Sequence, residues 1–204
     1  FADNFTLPGQ AALLFLRSPH PHARIAALDT AAARALPGVI SVVTGRDLLQ
    51  AGIKPLVQSA DFKRPDRSPT AAPPQHALAV DTVRFVGEAV AAVVAETREQ
   101  ARDALDAIDV RYEPLPMVAD IAEAIAPGAP LVWPAATGNI ACVAQHGKAA
   151  AADAAFARAA HVVALDIMNQ RLAPSPIEPR ATLASFDPQT SRITLRVSCQ
   201  TPTG

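Results

Sequence analysis

The chain has 204 residues, half of them hydrophobic, and its 18 Lys and Arg against 19 Asp and Glu leave a formal charge of -1. That length and apolar content suffice for a real core in one or two domains, and the even charge, with no basic block or aromatic-interleaved stripe, argues against nucleic acid or an anionic membrane as a partner. No apolar run approaches the ~18 residues of a membrane span, FADNFTLPG lacks the flank and centre of a signal peptide, and Cys142 and Cys199 form no CxxC pair that would suggest a disulfide framework or structural zinc, so a cytoplasmic setting is expected.

Residues 11–17 and 24–28 read as strands joined by a proline-bearing loop. Asp29 or Thr30 then caps a helix running through Leu36, where Pro37-Gly38 stops it; residues 39–44 form a further strand, and 47–50 a short helical turn. Between residues 54 and 75, Pro55, Pro65, Pro69, Pro73 and Pro74 destroy any apolar period, which predicts an extended loop. Residues 89–94 are an unbroken apolar run of strand length, buried on both faces. Thr97 offers an N-cap, Ala101, Leu105 and Ile108 follow at near-helical spacing, and 108–112 alternates apolar and polar until Pro114 and Pro116 end it. A short helix over 121–125 is expected to return this run to the same sheet as the opening strands.

An irregular stretch, 126–148, leads to an alanine-rich helix over 149–160, which propagates well but packs thinly. Residues 162–170, 180–186 and 192–199 read as strands, the last two joined by a tight turn at Asp187-Pro188-Gln189-Thr190. Three strands and one thin helix make a poor independent core. This last region is therefore expected to be the start of a larger domain whose remainder is absent.

The run TVRFVGEAVAAVVAETREQARDALDAIDVRYEPLP, Thr82 to Pro116, with its Gly87-Glu88 step, resembles the small N-terminal domain of the large, molybdenum-binding subunit in the xanthine dehydrogenase and aerobic carbon monoxide dehydrogenase family. LRSPHPHARIAALDTAAARALPGVISVVTGRDL, Leu16 to Leu48, is similar to that family's opening hairpin, helix and strand, and Asn169 to Gly204 to the entry into its second, cofactor-binding domain. The resemblance implies an α+β fold: a hammerhead-like α/β domain with a mixed sheet over 1–125, carrying the proline-rich loop 54–75, then a connection over 126–148 and the first strands of a molybdopterin-binding domain over 149–204. It further implies an oxidoreductase using molybdopterin, often as the cytosine dinucleotide, and passing electrons to iron-sulfur and flavin subunits. The catalytic carboxylate and the cofactor loops of that family lie in parts of the polypeptide outside these residues, so no turnover and no bound cofactor are expected of this chain alone, and no substrate can be named.

Few residues here could carry chemistry. Under the resemblance, Gln200 in Ser198-Cys199-Gln200-Thr201-Pro202 lies beside the molybdenum and hydrogen-bonds an oxygen ligand, work that suits an amide because it donates without bringing a charge; the competing reading is an ordinary strand-end glutamine. Glu178, in Pro176-Ile177-Glu178-Pro179-Arg180, sits on stiff backbone and reads as a structural partner for Arg180 or Arg171. Glu88 reads as structural, Cys199 as a small apolar group beside Gln200, and His20 and His22 as loop residues with no third ligand nearby. No G-x-S-x-G elbow, P-loop or G-x-G-x-x-G is present. The rival readings are a non-catalytic assembly module built on the small α+β domain, and a hydrolase using Glu88 or Glu178 with a His.

Overall fold

A computed structural model describes residues 1–56, 70–144, 146–170 and 172–199. The chain divides into two compact units, 11–147 and 1–10 with 148–204. All described strand pairings are antiparallel.

In the unit 11–147, strands β1 (Ala12–Arg17), β3 (Val39–Thr44) and β5 (Ala89–Ala95) form one sheet in the order β1-β5-β3. A second sheet has the order β4-β2-β6, from β2 (Ala23–Asp29), β4 (Thr82–Val83) and β6 (Asp109–Pro114). This topology divides the expected single sheet in two. β1 and β2 are not a hairpin, because the loop between them carries the chain from one sheet to the other; the run after Thr82 does return to the opening strands, β5 beside β1 and β6 beside β2, but in two different sheets. Apolar periodicity identifies a strand but is blind to which neighbour it pairs with.

The continuous apolar run of β5 is explained by its place. Flanked on both edges, it pairs Leu14 with Val93 and Phe15 with Ala92 on one side, and Val42 with Val93 and Val43 with Ala92 on the other. Ala91, Val93 and Ala95 pack with Val42 against Ala33, Ala101, Ala104 and Ile108, while Val90 joins Ala23, Ile25, Ala79 and Val83 in a second cluster. Burial of each valine is worth about 1.5–3 kcal/mol. Helix α3 (Arg98–Asp106) can lie close to the sheet because its inward residues Ala101 and Ala104 are small and fully buried. Thr97 caps it as expected, with Gln100 completing a reciprocal capping box.

The same device starts α2 (Gly45–Gln50): Thr44 Oγ1 accepts from Asp47 N, and Asp47 Oδ2 accepts from Thr44 N at 2.7 Å. Helix α1 (Ala31–Arg34) is a single turn, opened by Asp29, whose carboxylate accepts from Ala31 N. Gly38, in the turn between α1 and β3, takes φ +78°, a left-handed conformation that glycine adopts without the cost a side chain would bring. A short α4 (Ile121–Ile125) follows β6, started by Asp120, which accepts from Ala122 N and Glu123 N.

In the other unit, a 3-10 turn at Ala2–Asn4 packs on a two-stranded ribbon of β7 (Thr182–Asp187) and β8 (Arg192–Val197). The turn between the strands is held by Asp187, which accepts from Gln189 N and Thr190 Oγ1. Helix α5 (Ala149–Arg158) buries no residue, as its alanine-rich sequence suggested. Residues 162–170, expected to be a strand, form none; they make no hydrogen bond with other described residues, and Val163 is 91% and Ile167 80% exposed. Their alternation has no described partner to be satisfied by. Among the described residues no helix is long and apolar enough to cross a membrane.

Candidate functional site

The strand β8 leads to the expected position of Gln200. Gln200 itself lies outside the described residues, but the chain up to Cys199 is described. Glu178 Oε1 accepts from Ser198 Oγ, one residue past β8, and from the main-chain N–H of Ala2 at 3.2 Å. The Ser198 hydroxyl above all, with the Ala2 N–H adding to it, holds the Glu178 carboxyl below the usual carboxylate range. Of the two partners expected of Glu178, Arg171 lies outside the described residues and Arg180 forms no salt bridge with it; among the described residues its hydrogen-bond partners are a hydroxyl and a backbone amide. Ser198 is the residue that sequence reasoning missed. It stood in the quoted pattern, yet the carboxylate that engages it is 20 positions away, beyond the reach of any local signal.

A cavity of about 470 Å³ adjoins this contact, lined by Phe1, Phe5, Glu178, Leu195, Val197 and Ser198 among others. Cys199 is exposed and free. Residues that would cradle a whole pterin are not found among those described: the ribbon is open, and its only cation on this cavity, Arg196, lies 5.3 Å from the centre of the Phe5 ring.

The Gly87-Glu88 step forms the turn from β4 into β5. Gly87 takes φ +89°, a conformation that side-chain-bearing residues adopt only at a cost, with open space where a Cβ would stand. Glu88 Oε2 accepts from Arg84 N at 2.5 Å, closing the turn on itself. Ser18 N donates to Glu88 O and Gly87 N to Ser18 O, both at 2.8 Å, while Arg17 Nη1 donates to Gly87 O. Arg84 continues outward: its guanidinium lies 3.5 Å from the centre of the Trp133 ring, and its Nε and Nη1 donate to the carbonyls of Val132 and Thr82. Burial lowers the Arg84 pKa, with Glu88 opposing that shift. A cavity of about 340 Å³ beside the turn is lined by His76, Thr82, Arg84, Phe85, Glu88 and Trp133 among others. Glu88 is committed to holding the turn, as a structural role for it required.

His20 stacks against Tyr112, with ring centres 4.9 Å apart, and His22 Nδ1 donates to the Pro116 carbonyl. The two rings therefore have separate tasks. Among the described residues no group of three or more His, Cys, Asp or Glu could hold a metal ion.

The family model described as "Aldehyde oxidase and xanthine dehydrogenase, a/b hammerhead domain" matches residues 1–116, and that described as "Molybdopterin cofactor-binding domain" matches residues 132–204. The chain is 37% identical to the carbon monoxide dehydrogenase large chain of Afipia carboxidovorans, covering 99% of this chain and 25% of the relative. It is 36% identical to the nicotine 6-hydroxylase large subunit of Paenarthrobacter nicotinovorans, covering 99% and 24%. Among solved structures, a Cu,Mo-CO dehydrogenase superposes with a TM-score of 0.79 at 35% identity over 96% of this chain and 25% of that one. Quinoline 2-oxidoreductase from Pseudomonas putida 86 superposes at 0.83 with 32% identity, over 98% and 24%. The chain thus spans about a quarter of the length of the relatives it matches. An α+β hammerhead unit with a molybdopterin-binding match behind it is what fold and sequence define together. The chain belongs to the aldehyde oxidase and xanthine dehydrogenase family.

Proposed function

We propose that these residues are the N-terminal portion of the large subunit of a molybdenum hydroxylase of the carbon monoxide dehydrogenase type, in which this stretch builds the fold and subunit contacts rather than performing chemistry. The observation that carries the reading is the order of two matches on one chain, hammerhead over 1–116 and molybdopterin-binding over 132–204. On this reading residues 1–125 are the hammerhead-like domain, 126–148 the connection and 149–204 the incomplete start of the cofactor-binding domain. Gln200 contacts an oxygen ligand of the metal. The cofactor is molybdopterin, as the cytosine dinucleotide, bound only once the rest of the subunit is present. The partners are that remainder and iron-sulfur and flavin subunits, in the cytoplasm; support comes from relatives described as the large chain or subunit of a dehydrogenase or hydroxylase.

When bound, the cofactor supplies the oxygen that is transferred to substrate and accepts the electrons released. What this chain's own residues contribute is the hammerhead unit and the strand end after β8. Metal analysis and dye reduction test the reading. The 204 residues alone should hold no stoichiometric molybdenum and reduce no dye, and the complete subunit assembled with its partners should do both. Stoichiometric molybdenum in the isolated chain, or none in the complete complex, would overturn it. The assembly-module reading predicts the second of those results.

A further inference from the structure

We infer that the cavity of about 340 Å³ beside the Gly87-Glu88 turn is a binding site for a small neutral aryl carboxamide, whose carbonyl oxygen accepts from Arg84 and whose N–H donates to Glu88. The site lies wholly within the unit 11–147 and does not depend on the molybdenum reading. Its donor is held in advance. Arg84 Nε and Nη1 are fixed by the Val132 and Thr82 carbonyls at 3.1 and 3.0 Å, and the face of the guanidinium is fixed by Trp133. Among the described residues Nη2 donates to nothing, and this half-buried cation has no salt bridge. A guanidinium anchored in this way loses little freedom when it takes up an acceptor. The acceptor of the site is held as firmly: Glu88 Oε2 is taken by Arg84 N at 2.5 Å, and among the described residues Oε1 accepts from no donor.

Charge and shape select the class of ligand. Asp81 also lines the cavity, but Arg46 balances it at 3.0 Å, which leaves Arg84 and Glu88 to cancel one another on the wall. An anion would be repelled by Glu88 and a cation by Arg84, whereas a neutral amide offers each of them its complement. Phe85, 53% exposed, forms the apolar walls with Trp133, Pro73 and Pro74, and an aromatic ring packs well against such surfaces. The volume falls at the lower end of small-molecule pockets, about 300–1,000 Å³, which suits a compact ligand.

Trp133 is the only tryptophan of the chain, so its emission reports on the site in the 204-residue protein. Benzamide, benzoate and benzamidine share one shape and differ in charge. Benzamide should change the emission saturably, with a Kd of about 1 mM for so small a ligand, and the two ions should bind about tenfold more weakly. Arg84→Lys, which keeps the charge and loses the fork, should weaken benzamide about tenfold. Phe85→Ala, at an exposed position, should weaken it about threefold to tenfold, and circular dichroism checks that each variant keeps the parent fold. Glu88→Gln retains an oxygen for Arg84 N and puts a donor where Oε1 stood, so benzoate should then bind more tightly than benzamide. An equal response to all three probes would show apolar adhesion alone and overturn the proposal, as would a lack of saturation with benzamide or unchanged binding in Phe85→Ala. N-acetylalanine methylamide carries a peptide group without a ring; if it bound as tightly as benzamide, the aryl class would fall and the site would be one that reads a protein backbone.

Discussion

Asp47 shows how much one side chain can do at a strand-to-helix junction. Its carboxylate accepts from both the main-chain N–H and the hydroxyl of Thr44, which in turn receives the Asp47 N–H. Those Thr44 hydrogen bonds, with Arg34 adding a weaker charge effect at 3.6 Å, hold the Asp47 carboxyl below its ordinary value. A carboxyl depressed in the folded state contributes stability that is present above the unfolded value, about 3.9, and that is lost as pH falls through the folded one. Asp47→Asn should therefore cost roughly 0.5–1 kcal/mol at pH 7, a cap-sized effect given how open the group is to solvent. The gap should close below about pH 4 in urea melts run across pH. Caps of this kind are legible in sequence: Thr97 was read directly. Thr44 was not, because the sequence places the start of this turn at Asp47 and nothing local shows that Gly45 and Arg46 already belong to it.

Helices and strands were legible where their period was long, and pairing was not. The α3 run, the β5 run and the β7–β8 ribbon were readable from spacing alone. What failed were statements about neighbours: the β1–β2 hairpin, a single sheet holding the opening strands and the run after Thr82, and a strand over 162–170. Pairing depends on side chains tens of residues apart, and so does the contact of Glu178 with Ser198, 20 positions away. Close packing between elements was equally hidden. Gly45, at the start of α2, lies where a Cβ would come within 2.4 Å of the Ala79 carbonyl oxygen and 2.9 Å of that of Leu78. Backbone cannot yield as a flexible side chain does, so Gly45→Ala should destabilise the hammerhead unit by about 1–3 kcal/mol despite an ordinary helical position. A lower denaturant midpoint with an unchanged slope would register that loss.

At the scale of the molecule, the family was legible because three stretches carry it in order, whereas Gln200 lies outside the described residues. The fold of 11–147 also imposes a timetable. β1 and β3 pair with β5, and β2 pairs with β4 and β6, so each of the first three strands waits for residues beyond position 81. The Ser18 bonds to Gly87 and Glu88 fasten the two crossings between sheets across some seventy positions. A chain cut after Asp81 should therefore show no sheet by circular dichroism, whereas one reaching Pro116 should; sheet signal in the shorter chain would contradict the pairing. For a ribosome the meaning is practical. Three apolar segments emerge with nothing to bind one another, and the nascent chain stays sticky until β5 clears the exit tunnel, which makes the Gly87-Glu88 turn the point at which synthesis passes from exposure to closure.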